Sequence, residues 1–140
     1  MITQTATDSF TVDLLNGVHD FSTDTFKIAL YTANAALGET TTVYTTTEET
    51  SGVGYTAGGN VLAGVNVSAL DGVAFVSFSD AVWNPAAFTA RGGLIYNSSK
   101  GDRSVAILDF GGDKTASTTF TVQMPPATAG SALLRIQKGV

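Results

Sequence analysis

The sequence contains no cysteine and a single histidine, His19. Without cysteine the chain can form no disulfide, no thiolate zinc site and no iron–sulfur ligation, and it has no cysteine nucleophile. One histidine cannot supply a histidine-rich metal site within a single chain. We therefore expect neither a metal nor a cofactor.

Charge is also scarce and unevenly placed. Charged residues make up 14% of the 140 residues, and seven basic against twelve acidic side chains give a net charge of −5. Residues 1–90 hold nine of the acidic residues and one of the basic ones. Nucleic acids bind to basic surfaces, so a nucleic-acid partner is disfavoured. The asymmetry would help neighbouring copies meet in one register, or it reflects ordinary solvated charges.

Long apolar runs and leader-like segments are absent as well. No stretch approaches the ~20 apolar residues of a transmembrane helix, and Met1–Gln4 carries no basic side chain. We therefore expect no membrane partner. The chain is expected to be used in the cytoplasm or assembled there into something larger.

What the sequence does contain is a hydrophobic fraction of 44%, 15 glycines and many threonines, which is typical of a globular domain. A short helix is predicted over residues 8–17, capped by Thr7 or Asp8. The alternating apolar residues of Asp24–Thr32 predict a strand with one buried face. Residues 1–7 are expected to form a flexible arm.

A series of short strands follows. Residues 40–50, rich in threonine, predict an edge strand, and residues 51–60 a glycine-rich loop. Further strands are predicted at 61–67, 72–79, 94–97, 104–110, 118–124 and 132–137, with turns that include 69–72, 91–93 and 111–114. The predicted core residues are Phe26, Ile28, Leu30, Phe75, Phe78, Trp83, Ile95, Ile107, Phe110, Phe120, Leu133 and Ile136. This pattern predicts a mainly-β, jelly-roll-like antiparallel β-sandwich with one short N-terminal helix, as a single domain over residues 1–140.

Three features suggest catalysis, and none is specific. His19 lies between the helix and the first strand, where a structural hydrogen bond is the expected role. Gly52–Ala57 loosely matches a dinucleotide fingerprint, but no hydrophobic strand precedes it and no helix follows. Asp109–Gly111 matches a kinase triplet without the kinase catalytic loop. We therefore expect no catalytic residues and no enzymatic activity; a hydrolase with paired carboxylates is the alternative.

Two stretches of the chain resemble a known family. Leu14–Phe21, continuing into Asp24–Thr32, is similar to the opening of the small capsid decoration (cement) proteins of tailed bacteriophages, closest to those of short-tailed phages. Glu49–Gly59 is similar to the glycine loop of the same family. The resemblance covers most of the chain. It implies a jelly-roll-like homodimer on the exterior of the virion capsid, where it clamps neighbouring major capsid proteins and stabilises the shell.

The resemblance carries no active site and assigns no contact residues. From the residues themselves, partner contacts are predicted at Val43 and Tyr44 in the threonine-rich edge and at Gly54, Tyr55 and Thr56 in the glycine-rich loop. Tyr55 would act there as a rigid aromatic anchor. The alternative function is a receptor- or carbohydrate-binding β-sandwich module of a phage tail or fibre.

Overall fold

The computed structural model of the chain describes residues 1–138. Strand accounts for 43% and helix for 8% of the chain, which confirms the predicted mainly-β class with a short N-terminal helix. The elements are β1 (Thr5–Ala6), α1 (Asp8–Leu15), β2 (Phe26–Tyr31), β3 (Asn60–Val61), β4 (Asn66–Leu70), β5 (Val73–Ser77), β6 (Ala81–Trp83), β7 (Phe88–Asn97), a 3₁₀ turn (Ser98–Lys100), β8 (Arg103–Ala116), β9 (Phe120–Val122) and β10 (Leu134–Gln137).

The largest sheet has five antiparallel strands in the order β1-β8-β7-β2-β3. Its strand β2 contributes to two apolar clusters: Ile28 and Leu30 pack in the main core, while Ala29 and Tyr31 pack in a second cluster on the opposite face. β2 is therefore buried on both faces, where the alternation predicted one. The difference arises because residues 32–50 lie across the outer face and cover the second cluster.

Strands β7 and β8 form a long hairpin whose far end bends over the core. Past the bend, β6 pairs with β9, with Trp83 opposite Phe120. Across the bend itself, the backbone N–H of Ala86 donates to the carbonyl of Thr118 (2.8 Å). The two-stranded sheet thus continues the β7–β8 hairpin, and Trp83 packs edge-to-face on Phe88 and Phe120 beneath it.

The turns predicted at 91–93 and 111–114 are wrong, because both segments lie inside strands β7 and β8. A Cβ on Gly92 would lie 2.5 Å from the carbonyl oxygen of Leu108. This glycine therefore permits close approach of two strands and does not form a turn. The register between β7 and β8 shifts between Ala90 and Gly92, so the glycines of residues 111–114 mark an irregular part of the strand pair.

Helix α1 begins at the predicted cap. The hydroxyl oxygen of Thr7 accepts a hydrogen bond from the backbone N–H of Phe10 (3.2 Å), which satisfies one of the free donors at the helix start. Phe10 is buried in the main core. The helix ends at Leu15, two residues before the predicted end, and the Leu15 side chain is exposed.

Residues 1–7 are not the predicted flexible arm. Thr5 and Ala6 pair with β8, and the backbone N–H of Thr3 donates to the carbonyl of Leu37 (2.9 Å). Ile2 is buried in the second cluster. Burial of this apolar side chain, together with the backbone pairing, accounts for the ordered segment.

Residues 40–50 form a loop and not the predicted edge strand. Isolated bridges at Val43 and at Glu49 connect the loop to the five-stranded sheet. Threonine side chains in this loop form hydrogen bonds with the nearby backbone. For example, Thr45 Oγ1 accepts a hydrogen bond from the backbone N–H of Thr47 (3.2 Å). Such local hydrogen bonds compete with strand pairing. For this reason the high content of β-branched residues did not correctly predict the structure of residues 40–50.

A three-stranded antiparallel sheet in the order β10-β5-β4 packs beside the main core. A two-residue turn joins β4 to β5, with positive φ at both Asp71 (53°) and Gly72 (80°). Positive φ at both central positions suits a tight hairpin, and the predicted turn at 69–72 is confirmed. The strand predicted at 61–67 is divided between β3 and β4.

Nine of the twelve predicted core residues are buried. Phe110 and Leu133 are half-buried and pack against the main core. Ile136 is wrong as a core residue, because it is 57% exposed on the outer strand β10. Its strand has the expected alternation, but nothing in residues 1–138 covers the half of the sheet face on which it lies.

Candidate functional site

Two of the predicted contact residues, Tyr44 and Tyr55, have their polar groups bonded inside the protein. Tyr44 stacks on Tyr96 with ring centroids 4.8 Å apart, and its hydroxyl donates to Glu49 Oε2 (2.6 Å). The Tyr55 hydroxyl donates to Glu49 Oε1 (2.6 Å) and accepts from the backbone N–H of Leu30 (2.9 Å). The Tyr55 anchor therefore binds its own sheet, and its ring packs against the main core.

The other three predicted contact residues, Val43, Gly54 and Thr56, are exposed. Gly54 has a φ of 86°, and a Cβ there would lie 1.9 Å from the carbonyl oxygen of Pro85. The glycine-rich loop is thus held tightly against the bend of the long hairpin. The structure does not gather the five residues into one exposed cluster, and contact through the three exposed ones stays a prediction.

Glu49 organises a polar cluster under this loop. Its carboxylate accepts hydrogen bonds from two tyrosine hydroxyls and from the backbone N–H of Gly58 (2.8 Å). The Tyr96 hydroxyl donates to the carbonyl of the same Gly58 (2.6 Å). Burial, with a smaller contribution from the Glu49 carboxylate, raises the pKa of all four tyrosines of the chain. The pKa of Tyr96 reaches about 12 through burial and the nearby carboxylates of Asp102 and Glu49. The cluster fastens the loop to the sheet and leaves no free acid or base.

A second polar cluster lies just before the start of β2. Burial by itself would raise the pKa of Asp24, but hydrogen bonds from Asn97 Nδ2 (2.8 Å), the backbone N–H of Asp20 (3.0 Å) and Lys100 Nζ (2.9 Å) outweigh it and lower the pKa to about 2. Asp24 is therefore an ionised carboxylate whose bonds join residues 20–24 to residues 97–100. This arrangement stabilises the corner between α1 and β2.

His19 occupies the buried side of the same cluster. Its side chain is fully buried, and Asn97 Nδ2 lies 3.0 Å from His19 Nδ1, so the predicted structural hydrogen bond is present. His19 Nε2 has no hydrogen-bond partner and lies 3.9 Å from Asp13 Oδ2. Burial lowers the pKa of His19, against the raising effect of Asp13 and Asp24. A ring nitrogen closed off from solvent cannot reach a substrate, so the geometry favours a structural role.

The most distinctive exposed feature is one face of the three-stranded sheet, which we call the sheet surface. Cross-strand pairing places its members on the same face, since Val67 is opposite Val76, and Ala74 is opposite both Ala69 and Ile136. Val67 is 59% and Ile136 57% exposed. The sheet surface consists of Val67, Ala69, Ala74 and Ile136. It is an apolar strip that the described part of the chain leaves uncovered.

The sheet surface continues into a groove of about 560 Å³ between the three-stranded sheet and helix α1. Phe10, Leu14 and Phe21 line the helix side, and Val67 and Ile136 line the sheet side. Because both walls are mostly apolar, the groove and the strip form one apolar surface. Adjacent exposed apolar groups of this kind are typical of protein contact sites.

Sequence reasoning missed the sheet surface because a strand with alternating apolar residues predicts a buried face. One signal could have found it. No residue from Asn60 to Leu70 is charged, although strands exposed at a sheet edge usually carry charge.

Within residues 1–138 no group of three or more His, Asp or Glu side chains could hold a metal ion. No helix of this part is long and apolar enough to cross a membrane. Comparison of the chain with protein families, curated proteins and solved structures finds no match. The observations that bear on function are therefore the sheet surface, the two polar clusters and the residue patterns of the sequence.

Proposed function

We propose that this chain is a structural virion protein, a decoration or cement protein that binds the outer surface of a phage capsid. In this role it clamps neighbouring major capsid proteins and stabilises the shell. The proposal combines the family resemblance of Leu14–Phe21, Asp24–Thr32 and Glu49–Gly59 with the exposed sheet surface. The resemblance suggests the partner, and the sheet surface suggests where contact is made.

The sheet surface is the observation that carries the proposal. Burial of apolar area contributes roughly 25 cal/mol per Å², and a standard protein contact covers about 800 Å² on each partner. Four neighbouring apolar side chains with an adjoining groove provide the centre of such a contact. Exposure of these side chains to water is unfavourable in the isolated chain, and a partner that buried them would remove this cost.

The polar clusters favour binding by a rigid body. The Glu49 carboxylate joins its own loop to the glycine-rich loop, and Asp24 accepts hydrogen bonds from the distant residues Asn97 and Lys100. The loops beside the five-stranded sheet are therefore fixed before any partner arrives. Pre-ordered surfaces bind with a smaller entropic cost. Two copies joined as a homodimer would bind the shell bivalently, so that weak single contacts combine through high effective concentration.

The net charge of −5 favours protein partners over nucleic acid and anionic membranes. We therefore place the chain on the capsid exterior, away from the packaged genome. Assembly onto the particle would take place in the host cytoplasm.

Copy number and position on the intact particle test the proposal. We would purify particles of the phage that encodes this sequence, quantify the chain against the major capsid protein by mass spectrometry, and locate it by cryo-electron microscopy. Copy numbers comparable to the major capsid protein, with density on the outer shell, are the expected result. A few copies at the tail would instead support the receptor- or carbohydrate-binding module, and absence from the particle would refute both.

A further inference from the structure

We propose that β4 is an assembly edge, and that a second copy of this chain pairs with it antiparallel about a two-fold axis at Ser68. The proposal names the interface for the homodimer in the proposed function and rests on that function only for its biological role. Within residues 1–138, β4 has β5 on one side and no strand on the other. All five of its residues are exposed.

The β4 edge lacks the devices that usually prevent strand pairing. Natural edge strands carry charge, proline or bulges, or are very short. β4 has five residues in regular register with β5, and the stretch from Asn60 to Leu70 contains neither charge nor proline. An edge of this kind offers its free backbone groups to another strand.

The opposite edge of the same sheet is protected. Strand β10 carries Arg135, and Lys138 follows it directly. Arg135 Nη1 also donates to the carbonyl of Gly130 (2.7 Å), which fixes a charged side chain beside this edge. The contrast between the two edges selects β4 for pairing.

Charge favours a second copy as the occupant of the β4 edge. Two chains that each carry −5 repel one another over most of their surfaces. At β4 two copies can approach without a pair of like charges. With the axis at Ser68, all five residues of each strand are paired, Val67 lies opposite Ala69 of the second copy, and Asp71 falls beyond the paired segment.

Pairing about Ser68 also enlarges the sheet surface. The two three-stranded sheets would form one six-stranded sheet, and residues at symmetric positions keep the same face because side chains alternate with a period of two. The apolar strips of both copies would then form a single strip across the axis. One dimer would thus present a doubled contact area to its partner.

A matched pair of lysine variants tests which edge pairs. Ser68→Lys and Gln137→Lys each place one charge at an exposed position, on the same face of the sheet but at opposite edges. Sedimentation velocity at about 100 µM should show twice the 14.4 kDa chain mass for the wild type and for Gln137→Lys. Ser68→Lys should be monomeric with an unchanged circular dichroism spectrum. A monomeric wild type, or a dimeric Ser68→Lys, would overturn the proposal.

Cysteine cross-linking tests the register independently, since the chain has no cysteine of its own. Directly paired residues have Cα atoms about 4.5–5.5 Å apart, which suits a disulfide. With diamide as the oxidant, Ser68→Cys should give a covalent dimer, whereas Leu70→Cys should not, because Leu70 would lie opposite Asn66 of the second copy. A dimer that cross-links at Leu70→Cys and not at Ser68→Cys would refute the axis.

Both experiments are done in solution without particles, so they separate this inference from the proposed function. A β4-paired dimer that fails to bind capsids would refute the proposed function alone. Capsid binding by a chain that stays monomeric in solution and unpaired on the particle would refute the inference alone.

Discussion

Among single residues, His19 is the one whose protonation should most directly affect the stability of the folded chain. The amide nitrogen of Asn97 has only protons to offer, so His19 Nδ1 accepts, and a second ring proton would remove that acceptor. Asp13 and Asp24 favour the charged ring, while Arg103, Lys100 and above all burial oppose it. The net effect is a pKa below the usual value near 6.5.

The lowered pKa of His19 predicts loss of stability in mild acid. The unfolded chain binds a proton below about pH 6.5 more readily than the folded chain does, so the free energy of unfolding should fall as pH drops through that value. Urea unfolding at pH 7.5 and 5.5 measures the difference. His19→Gln should abolish most of the slope between these values; an equal slope in the variant would assign it to other groups.

The four tyrosines predict a loss of stability in alkali, in contrast to the loss in mild acid that His19 predicts. Their pKa values are raised in the folded state, so the folded chain keeps protons that the unfolded chain loses above about pH 10. Stability should therefore fall as pH rises above 10. Phenolate absorbance at 295 nm should stay low at pH 10.5 in buffer and rise to about three-quarters of its full value in urea. Titration of Tyr44 or Tyr55 near pH 10 in the folded chain would contradict their hydrogen bonds to Glu49.

The contacts of single residues were the hardest to predict from sequence. Tyr55 was correctly placed in a glycine-rich loop, but its bonds to Glu49 and Leu30 depend on how separate segments meet in space. His19 was easier, because its neighbours in the chain already marked a corner between helix and strand. The local sequence indicates that a residue lies at a corner between two elements. Its contact partners from distant parts of the chain are known only from the fold.

Among elements, α1 depends on its cap. Thr7 is buried and its hydroxyl lies 2.8 Å from Ser104 Oγ, in addition to capping Phe10. Thr7→Ala should lower the free energy of unfolding by about 1–2 kcal/mol. Thr11→Ala, at an exposed position of the same helix, should change it by less than about 0.5 kcal/mol. Equal effects of the two changes in urea unfolding would show that the cap contributes little.

The glycine-rich loop gives a second prediction at this scale. Gly54 and Gly72 have similar positive φ values, 86° and 80°, but a Cβ would meet the Pro85 carbonyl at Gly54 and open space at Gly72. Gly54→Ala should therefore reduce stability by at least about 1 kcal/mol more than Gly72→Ala. Thermal unfolding of the two variants measures the difference. Equal melting temperatures would mean that the loop moves away from the hairpin bend without cost.

Elements with strong local signals were predicted well. Thr7 as a cap, the position of β2 and the Asp71–Gly72 turn all follow from short-range chemistry, and the structure confirms each. The glycines of 91–93 were misread because a glycine in a strand and a glycine in a turn look alike in sequence. Residues 40–50 were misread because threonine suits both exposed strands and side-chain-bonded loops.

For the whole molecule, the sequence predicted the class but not which sheet face stays open. The alternation in β4 and β10 is the same as in a buried strand, so exposure of Val67 and Ile136 follows only from the placement of the three-stranded sheet beside the core. The mostly apolar groove against α1 arises in the same way. An exposed apolar surface of this kind depends on the tertiary structure and cannot be predicted from the residue pattern of its strands alone.

Binding to capsid particles from which the chain has been removed tests the central claim most directly. We would compare Ile136→Lys, which places a charge in the sheet surface, with Val82→Lys, which places one on strand β6; the native side chains are 57% and 49% exposed. Ile136→Lys should bind at least about tenfold more weakly, a loss of roughly 1.4 kcal/mol, and Val82→Lys should bind like the wild type. Unimpaired binding by Ile136→Lys would contradict the account.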